Sequence, residues 1–361
     1  MAPAGLAEEM QSRPVGYAEL LGWPGDDPLA ALPPLLATCD ALKARPAEPP
    51  PAGAGALLRL GARPAAWEAA CAEAAALAEG MGQASGPAGQ ALVRDFLERR
   101  FQPFALGSGL LTGYYEPELR GAEYPVSPFL VPLYALPPPP PEGQLLPDRA
   151  EIEAGALEGR GLEIAWVDDP IAAFFLHIQG SGRILLNDGR VLRLGFAGKN
   201  GHPYRSIGRV LVESGAIPLE SISMQAIRDW LAAAGPGSAA ALLRQNPSYV
   251  FFRPVEGLRP DQGPPGTLGV PLTPGRSLAV DPAFIPLGAP VFVATRDPLD
   301  GTPLRRLLLA QDTGSAIRGP ARGDIFWGWG EAATARAGRM REMGEIFVLL
   351  PREPQRPEMA E

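Results

Sequence analysis

The sequence predicts a mainly β protein with flanking helices, built from a small closed barrel and a separate β-rich unit. Its 361 residues exceed what one hydrophobic core usually holds, so two domains are expected. The last third of the chain consists of short apolar segments between tight turns that contain Gly or Pro, a pattern typical of small closed barrels. The middle block, roughly residues 117–255, has strand-like segments of its own. We therefore expect this block to fold separately from the sequence on either side of it.

Helical segments dominate the N-terminal part of the chain. Ala, Leu and Val recur at helical spacing, which predicts helices over Leu32–Leu42, Pro64–Gly80 and Gly89–Phe101. We interpret these helices as scaffold. Cys39 and Cys71 lie inside such segments without the spacing of metal ligands, and we predict that they are two small buried hydrophobic residues.

Strands and turns dominate the rest of the chain. The pair Asp188-Gly189 between two apolar segments is a hairpin signal, and Glu256–Gly269 is a candidate hinge. In the middle block the predicted strands are Leu162–Val167, Ala172–Leu186 and Val191–Ala197, and the predicted helices are Ile207–Glu213 and Ser221–Ala234. In the last third, strands are predicted at 277–280, 290–295, 304–310, 324–327 and 345–350, with a helix at Glu331–Glu342 before the last strand.

Charge and composition exclude several classes of function. The net charge of −8 and the pI near 5.1 argue against nucleic acid as a partner. The two histidines, His177 and His202, are too few and too far from the cysteines for a zinc site, so a chemistry without metal is expected. The sequence contains no stretch of about 18 apolar residues, so no membrane span is predicted. The N-terminus as written lacks a basic region followed by an apolar core, so no export signal is visible.

Three aspartates stand at the ends of predicted strands, where rigid scaffolds often place reactive groups. Asp281 follows one apolar strand, Asp312 ends another, and Asp324 closes the Gly-rich loop after it. A carboxylic acid that protonates a leaving oxygen must be neutral at working pH, and the apolar residues after Asp324 favour a raised pKa. Arg318 and Arg322 would have the opposite effect on such a pKa. For Asp281 and Asp312, the capping of turns remains an alternative.

A pair of aromatic residues precedes the middle block, in the segment Gly109-Leu-Leu-Thr-Gly-Tyr114-Tyr115-Glu116-Pro117. Flat aromatic faces often bind sugar rings, and two tyrosines packed under a turn are the alternative.

Several motifs together resemble the membrane-bound lytic murein transglycosylase A family, and the likeness runs from about Tyr17 to Pro351. The motifs are Leu111–Pro117, Gly159–Trp166, His177-Ile-Gln-Gly-Ser-Gly182, Gly198-Lys-Asn-Gly201, Tyr204-Arg-Ser-Ile-Gly208 and the three aspartates Asp281, Asp312 and Asp324. The resemblance implies a double-psi β-barrel domain formed by residues 1–116 and 256–361, with a three-aspartate region at about 257–351. It also implies that residues 117–255 are an inserted second barrel-like domain, with a groove for the glycan strand between the two domains.

The resemblance further implies cleavage of the β-1,4 bond between N-acetylmuramic acid and N-acetylglucosamine in peptidoglycan, without water and without a cofactor, leaving a 1,6-anhydromuramoyl end. The single catalytic aspartate of the family corresponds to Asp324, supported by Asp312 and Asp281. Residues expected to contact the glycan are Thr112, Tyr114, Tyr115, Glu116, Gln179, Ser181, Lys199, Tyr204 and Ser206. Several of these have simpler alternatives, such as turn formation for Gln179 and Ser181 and a solvated charge for Lys199.

The implied location is the periplasm or the outer membrane, with peripheral or lipid-anchored association, and the expected state is a monomer. Two departures from the family pattern concern Ser315, where a second glycine is usual, and the missing export signal. Two other functions remain alternatives. One is a hydrolase that uses Asp324, a second aspartate and a water, and the other is a glycan-binding protein without turnover.

Overall fold

The computed structural model describes residues 12–45, 55–82, 86–314 and 316–353. Two expectations fall on residues outside these ranges. One concerns the loop at Ser315, and the other concerns an export signal at the start of the chain. The chain divides into two compact units. The first comprises Met1–Gly113, Pro265–Gly328 and Met340–Glu361, and the second comprises Tyr114–Pro264 and Trp329–Arg339.

The described ranges contain both strands and helices. The strands are β1 (Arg13–Pro14), β2 (Phe101–Glu116), β3 (Glu118–Ala122), β4 (Val131–Tyr134), β5 (Glu163–Val167), β6 (Gly182–Leu186), β7 (Val191–Lys199), β8 (Val250–Pro254), β9 (Ser277–Val280), β10 (Pro290–Arg296), β11 (Pro303–Thr313), β12 (Gly323–Trp329) and β13 (Arg341–Pro351). The helices are α1 (Leu32–Ala44), α2 (Ala56–Gly61), α3 (Pro64–Met81), α4 (Gly86–Arg100), α5 (Arg149–Glu153), α6 (Pro170–Gln179), α7 (Ile207–Glu213), α8 (Met224–Ala233), α9 (Gly235–Leu243) and α10 (Gly330–Arg339). Of the helices in these ranges, none is both long and apolar enough to cross a membrane.

The first unit contains a closed barrel. Its seven-stranded sheet has the order β1-β2-β12-β9-β11-β10-β13, and β2 also pairs with β13, so six of the strands form a ring and β1 lies outside it. Apolar side chains from every part of the ring fill its interior, including Leu111, Leu278, Val291, Leu308 and Ile325. The barrel removes exposed strand edges and fixes the register of the strands that carry the aspartates.

The N-terminal helices of the first unit pack on its barrel and form a second core with it. Trp23, Trp67, Phe96 and Phe101 are buried in this core together with residues of β10 and β11. The helices were predicted from their apolar spacing, and three of the four lie where the sequence placed them.

The prediction for the two cysteines was wrong in one respect. Both are buried, as expected, but they form a disulfide between α1 and α3, with the Cα atoms of Cys39 and Cys71 5.5 Å apart. They are 32 residues apart in the sequence. Only the packing of the two helices brings the thiols together, so the local pattern around each cysteine could not reveal the bond.

The second unit is built on a six-stranded sheet with the order β4-β5-β3-β6-β7-β8. A single parallel bridge between Ala135 and Phe252 brings the last strand of this sheet beside the end of the first. The sheet is therefore nearly closed. Together with the barrel of the first unit, it confirms the predicted mainly β fold with flanking helices and two barrel-like sheets.

One strand prediction in the second unit was wrong. Residues 172–186 were expected to form a strand, but the structure has helix α6 followed by the short strand β6. Asp169 caps the helix by accepting hydrogen bonds from the backbone N–H groups of Ile171 and Ala172, Pro170 is its first residue, and Gly180 ends it in the left-handed region. This Asp-Pro start and Gly stop are helix signals that outweigh the apolar run between them. Helix α9 was also missed.

Candidate active site

The barrel places Asp324 and Asp312 in one row of the sheet. Asp324 on β12 lies opposite Ala279 of β9, and Asp312 on β11 lies opposite the same Ala279 on its other side. Residues paired across adjacent strands point to the same face, and two strand spacings correspond to about 10 Å. The two carboxylates therefore share one face of the barrel, on strands that lie two spacings apart.

Asp324 has one direct hydrogen-bond donor among the described side chains, and this donor comes from β2. The Thr112 hydroxyl donates to Asp324 Oδ1 over 2.7 Å, and Arg322 Nη2 donates to the Thr112 oxygen over 2.8 Å. Arg322 also donates to the backbone carbonyls of Leu110 and Gly323. This chain of donors holds the threonine hydroxyl in one orientation and leaves Asp324 Oδ2 available for a proton or a ligand.

The environment of Asp324 raises its pKa to about 6, from an ordinary value of 3.8. Burial is the main cause, because it disfavours the charged form. The hydrogen bond from Thr112 and the charge of Arg322 oppose this effect, whereas the charge of Asp312 adds to it. As a residue Asp324 is only partly buried, so its carboxyl is neither sealed in the core nor out in bulk solvent. It can therefore be a neutral acid near pH 6 and still meet a ligand.

Asp281 organises the loop that leads to Asp324. Its Oδ1 accepts a hydrogen bond from Ala283 N over 3.1 Å, and its Oδ2 accepts one from Gly319 N over 2.8 Å. The guanidinium of Arg318 lies 3.7 Å away, but this side chain is 68% exposed and contributes little. Asp281 is itself buried. In the structure Asp281 therefore caps turns, which was the alternative to a catalytic role. One of the turns lies in the loop between Asp312 and Asp324.

Asp312 also binds a loop, through a residue that the sequence analysis did not identify. Its Oδ1 accepts hydrogen bonds from both the backbone N and the hydroxyl of Thr267, each over 2.9 Å. The Thr267 hydroxyl also contacts that of Thr313 at 2.8 Å. No local pattern distinguishes Thr267, because its partner is far away in the sequence.

A glycine allows the loop of the site to pack directly on β2. A Cβ added to Gly109 would lie 1.6 Å from the backbone oxygen of Ala321, the residue before Arg322. No side chain fits in that space. Gly109 therefore permits the close approach that puts Arg322 beside Leu110 and Thr112.

Three of the residues predicted to contact glycan have structural partners in the second unit. The Glu116 carboxylate is fully buried and receives hydrogen bonds from Arg183 Nε over 2.8 Å and from the Arg193 guanidinium. Burial raises the pKa of Glu116, although both guanidiniums oppose the shift. The buried Tyr115 accepts a hydrogen bond from Arg228, and Ser206 caps α7. In this structure these three side chains support the fold.

The remaining predicted glycan contacts of the second unit keep some exposed surface. Tyr114, Gln179 and Ser181 are partly buried, and Lys199 and Tyr204 are exposed. Gln179 and Ser181 flank the Gly180 that ends α6. Their contact with a glycan stays a prediction.

Within the described ranges, no group of three or more His, Cys, Asp or Glu side chains is arranged to hold a metal ion.

Comparison with known proteins gives matches in both units. The family model described as the MltA specific insert domain matches residues 110–253, and the 3D domain model matches residues 276–350. A Vibrio cholerae protein named membrane-bound lytic murein transglycosylase A is 37% identical over 251 residues, which cover 67% of this chain and 66% of the relative. The chain thus spans just under two thirds of that relative.

Solved structures match over more of the chain. The lytic transglycosylase LtgG of Burkholderia pseudomallei is 40% identical with a TM-score of 0.65, and the alignment covers 97% of this chain and 98% of the other. E. coli MltA with bound chitohexaose is 30% identical with a TM-score of 0.67, covering 89% of this chain and 90% of the other.

Proposed function

Because this chain belongs to the membrane-bound lytic murein transglycosylase A family, we propose that it is a peptidoglycan lytic transglycosylase with Asp324 as its single acid and base. The bond cleaved is the β-1,4 link between N-acetylmuramic acid and N-acetylglucosamine, and the product is a 1,6-anhydromuramoyl end. The names of the relatives support the reaction class, and the chitohexaose bound to E. coli MltA supports a glycan as the substrate.

The observation that carries the proposal is the state of Asp324. Its pKa of about 6 means that about half of it is protonated in mildly acidic solution near pH 6 and a smaller fraction at neutral pH. A group with a pKa near the working pH can both give and take a proton, which is what a single acid and base requires. The Thr112 hydroxyl can donate to Oδ1 in both protonation states, so the proton is exchanged at Oδ2.

In the first half of the proposed reaction, protonated Asp324 gives its proton to the glycosidic oxygen as the bond from that oxygen to C1 of the muramic residue breaks. In the second half, the Asp324 carboxylate takes the proton of the C6 hydroxyl while O6 of the same sugar bonds to C1. No water is consumed, and Asp324 ends in its starting protonation state. The attacking C6 hydroxyl is part of the substrate, and the sugar ring itself holds it close to C1. The reaction therefore needs no second protein carboxylate.

We propose that the glycan contacts come mainly from Tyr114, Gln179, Ser181, Lys199 and Tyr204, which keep exposed surface. Aromatic faces and short polar side chains suit the rings and acetamido groups of such a strand. Thr112 acts on Asp324 instead, and Tyr115, Glu116 and Ser206 act by holding their neighbours.

One observation favours a second candidate function, a hydrolase that inverts the sugar configuration. Asp312 lies on the same face as Asp324, about two strand spacings away, and inverting glycosidases hold their carboxyl groups about 6.5–9.5 Å apart with a water between them. However, Asp312 accepts two hydrogen bonds from Thr267, which fits a residue that orients a loop better than a general base.

Digestion of purified murein followed by mass spectrometry distinguishes the two reactions, because an anhydro product is lighter than a hydrolysis product by one water. We expect anhydro products from the native protein and almost none from Asp324→Asn, with Asp95→Asn, an exposed aspartate on α4, as the matched control. Products of hydrolysis would contradict the proposal and support the hydrolase. Substantial turnover by a folded Asp324→Asn variant would show that Asp324 is not the catalytic acid and base.

For the location, we propose the cell envelope on the periplasmic side, as a monomer associated with the outer membrane. The substrate lies there, and the relatives are named as membrane-bound. The disulfide between α1 and α3 supports an oxidising compartment, since such bonds persist in the periplasm and are rare in the cytosol.

A further inference from the structure

Besides Asp324, the first unit carries a second set of polar side chains that solvent can reach. Thr267 is exposed, and Asp312 and Thr313 are only partly buried. The Thr267 hydroxyl lies 2.9 Å from Asp312 Oδ1 and 2.8 Å from the Thr313 hydroxyl, and we call these three side chains the threonine cluster. The main proposed glycan contacts belong to the second unit, so they leave this cluster without a part in the reaction.

A tight turn, residues 265–271, holds Thr267 against β11. Within it Leu268 N donates to the backbone carbonyl of Gln311 over 3.0 Å. A Cβ added to Gly266 would lie 2.5 Å from the same carbonyl oxygen, so the close approach of the turn to β11 depends on this glycine. The Thr267 hydroxyl therefore stands on a fixed backbone, and a ligand would not have to order it on binding.

The hydrogen bonds inside the threonine cluster decide what kind of group it can bind. A hydroxyl has one proton, and that of Thr267 is donated to Asp312 Oδ1. The contact between the two hydroxyls therefore has Thr313 as its donor. Both hydroxyl protons are used inside the cluster, and the remaining lone pairs of these oxygens can only accept. The cluster thus suits a ligand that donates hydrogen bonds, such as the hydroxyl and acetamido N–H groups of an amino sugar.

Another threonine of the first unit shows the same pair of bonds in an ordinary turn. Thr302 donates from its backbone N and its hydroxyl to one oxygen of Asp300, over 2.9 and 2.7 Å, and the two residues are two positions apart. Thr267 and Asp312 make the matching bonds across 45 residues of sequence, and the Thr267 hydroxyl also reaches a further side chain. Local turn formation therefore explains Thr302 but does not explain the threonine cluster.

The register of the barrel relates the cluster to the acid. Asp312 and Asp324 lie opposite Ala279 from its two sides, so two strand spacings, about 10 Å, separate their backbones, which is roughly the length of a disaccharide. We propose that the threonine cluster is a glycan subsite, which accepts hydrogen bonds from hydroxyl or acetamido groups of the second sugar from the cleaved bond. This inference rests on the proposed function, because Asp324 defines where that bond lies.

Isothermal titration calorimetry with chitohexaose tests the subsite, with Asp324→Asn as the parent so that no turnover occurs. We expect saturable binding by the parent. Adding Thr267→Val and Thr313→Val keeps both shapes, removes both acceptors and should weaken binding about tenfold. Thr313→Val alone leaves the bonds between Thr267 and Asp312 in place and should weaken it about threefold. Changing both threonines to serine keeps the hydroxyls and should restore the affinity of the parent.

Thr302→Val is the matched control, since it removes the corresponding hydroxyl bond from the turn before β11, and it should bind like the parent. The subsite would be refuted if the parent did not bind chitohexaose, if either valine variant bound as tightly as the parent, or if Thr302→Val weakened binding as much as they do.

Kinetics on soluble glycan strands separate a subsite from a structural role. A contact made equally in the ground state and the transition state affects KM alone, so the valine pair in the native chain should raise KM about tenfold and leave kcat within about twofold. The fall of activity near pH 6 should not move, because the surroundings of Asp324 keep their charges. A lower kcat at unchanged KM, or a displaced pH profile, would contradict the subsite.

The two proposals fail in different ways. Hydrolysis products together with chitohexaose binding that depends on the threonines would reject the lytic reaction and support the subsite. Anhydro products together with binding that ignores Thr267 and Thr313 would support the lytic reaction and reject the subsite.

Discussion

At the scale of single residues, Asp324 depends on a hydrogen bond that comes from a distant part of the chain. Thr112 was expected to contact glycan, but its hydroxyl donates to Asp324 and accepts from Arg322. From the sequence, Arg322 was considered only as a positive charge that lowers the pKa of Asp324. In the structure it also fixes the orientation of the threonine, so its two effects on Asp324 are electrostatic and geometric.

The variant Thr112→Val tests the part played by this hydrogen bond. The bond lowers the pKa of Asp324, so its removal should raise that pKa above about 6. The protonated acid is the form that starts the reaction, and activity of the native protein should fall as pH rises through about 6. In Thr112→Val that fall should move to higher pH, and kcat/KM at the optimum should drop about tenfold because the carboxyl loses its orienting partner.

Thr112→Ser keeps a hydroxyl and serves as the control, with a pH profile like that of the native chain. If the fall of kcat/KM occurs at the same pH in Thr112→Val as in the native chain, the threonine does not act on the pKa of Asp324.

At the scale of secondary-structure elements, the site depends on how closely a loop packs on a strand. The loop after β11 is bound at one end by Asp281, which accepts a hydrogen bond from Gly319, and at the other by Arg322, which donates to Leu110 on β2. Gly109 on the same strand leaves room for the loop backbone. Contacts from other elements therefore hold both ends of the loop.

Gly109→Ala should disturb this packing, because the new Cβ would overlap the carbonyl oxygen of Ala321. We expect a loss of about 2 kcal/mol in the free energy of unfolding and a larger proportional loss of turnover, as Arg322 moves away from Thr112. Urea denaturation and murein digestion measure the two effects. Gly237→Ala on α9, where nothing lies within 4 Å of the added Cβ, is the control; it should leave turnover unchanged and should not lower the free energy of unfolding. A fully active Gly109→Ala variant would contradict this account.

At the scale of the whole molecule, the first unit is assembled from three separate stretches of chain. β2, near the end of the first stretch, pairs from Phe101 to Thr112 with β13, the last strand of the described ranges. The N-terminal helices cover this barrel and are themselves joined by the disulfide between Cys39 and Cys71. Much of the stability of this unit therefore comes from contacts between residues that are distant in the sequence.

Loss of the disulfide should lower the stability of the first unit without altering the chemistry of Asp324. A link between residues 32 apart restricts the unfolded chain, and its removal in the double variant Cys39→Ser, Cys71→Ser should cost about 2–4 kcal/mol. Treatment of the native protein with a reductant should lower its midpoint of urea unfolding to about that of the double variant. The reductant should not affect the double variant. An unchanged midpoint in the reduced native protein would contradict the prediction.

The sequence alone determined most of the local structure. Side-chain periodicity reflects which face of an element is buried, and on that basis helix α7 and strand β9 were predicted with their bounds as found. The same reasoning placed three aspartates at or beside the ends of strands. It failed at α6, where the capping residues Asp169 and Gly180 mattered more than the apolar run between them.

The tertiary structure decided what those elements do together. The disulfide, the raised pKa of Asp324, its bond to Thr112 and the burial of Glu116 all depend on partners far away in the chain. A residue type and its neighbours fix the local backbone preference, but a pKa depends on the desolvation and charges that packing creates. For that reason the sequence could indicate Asp324 as an acid, and only the fold could supply the environment that raises its pKa.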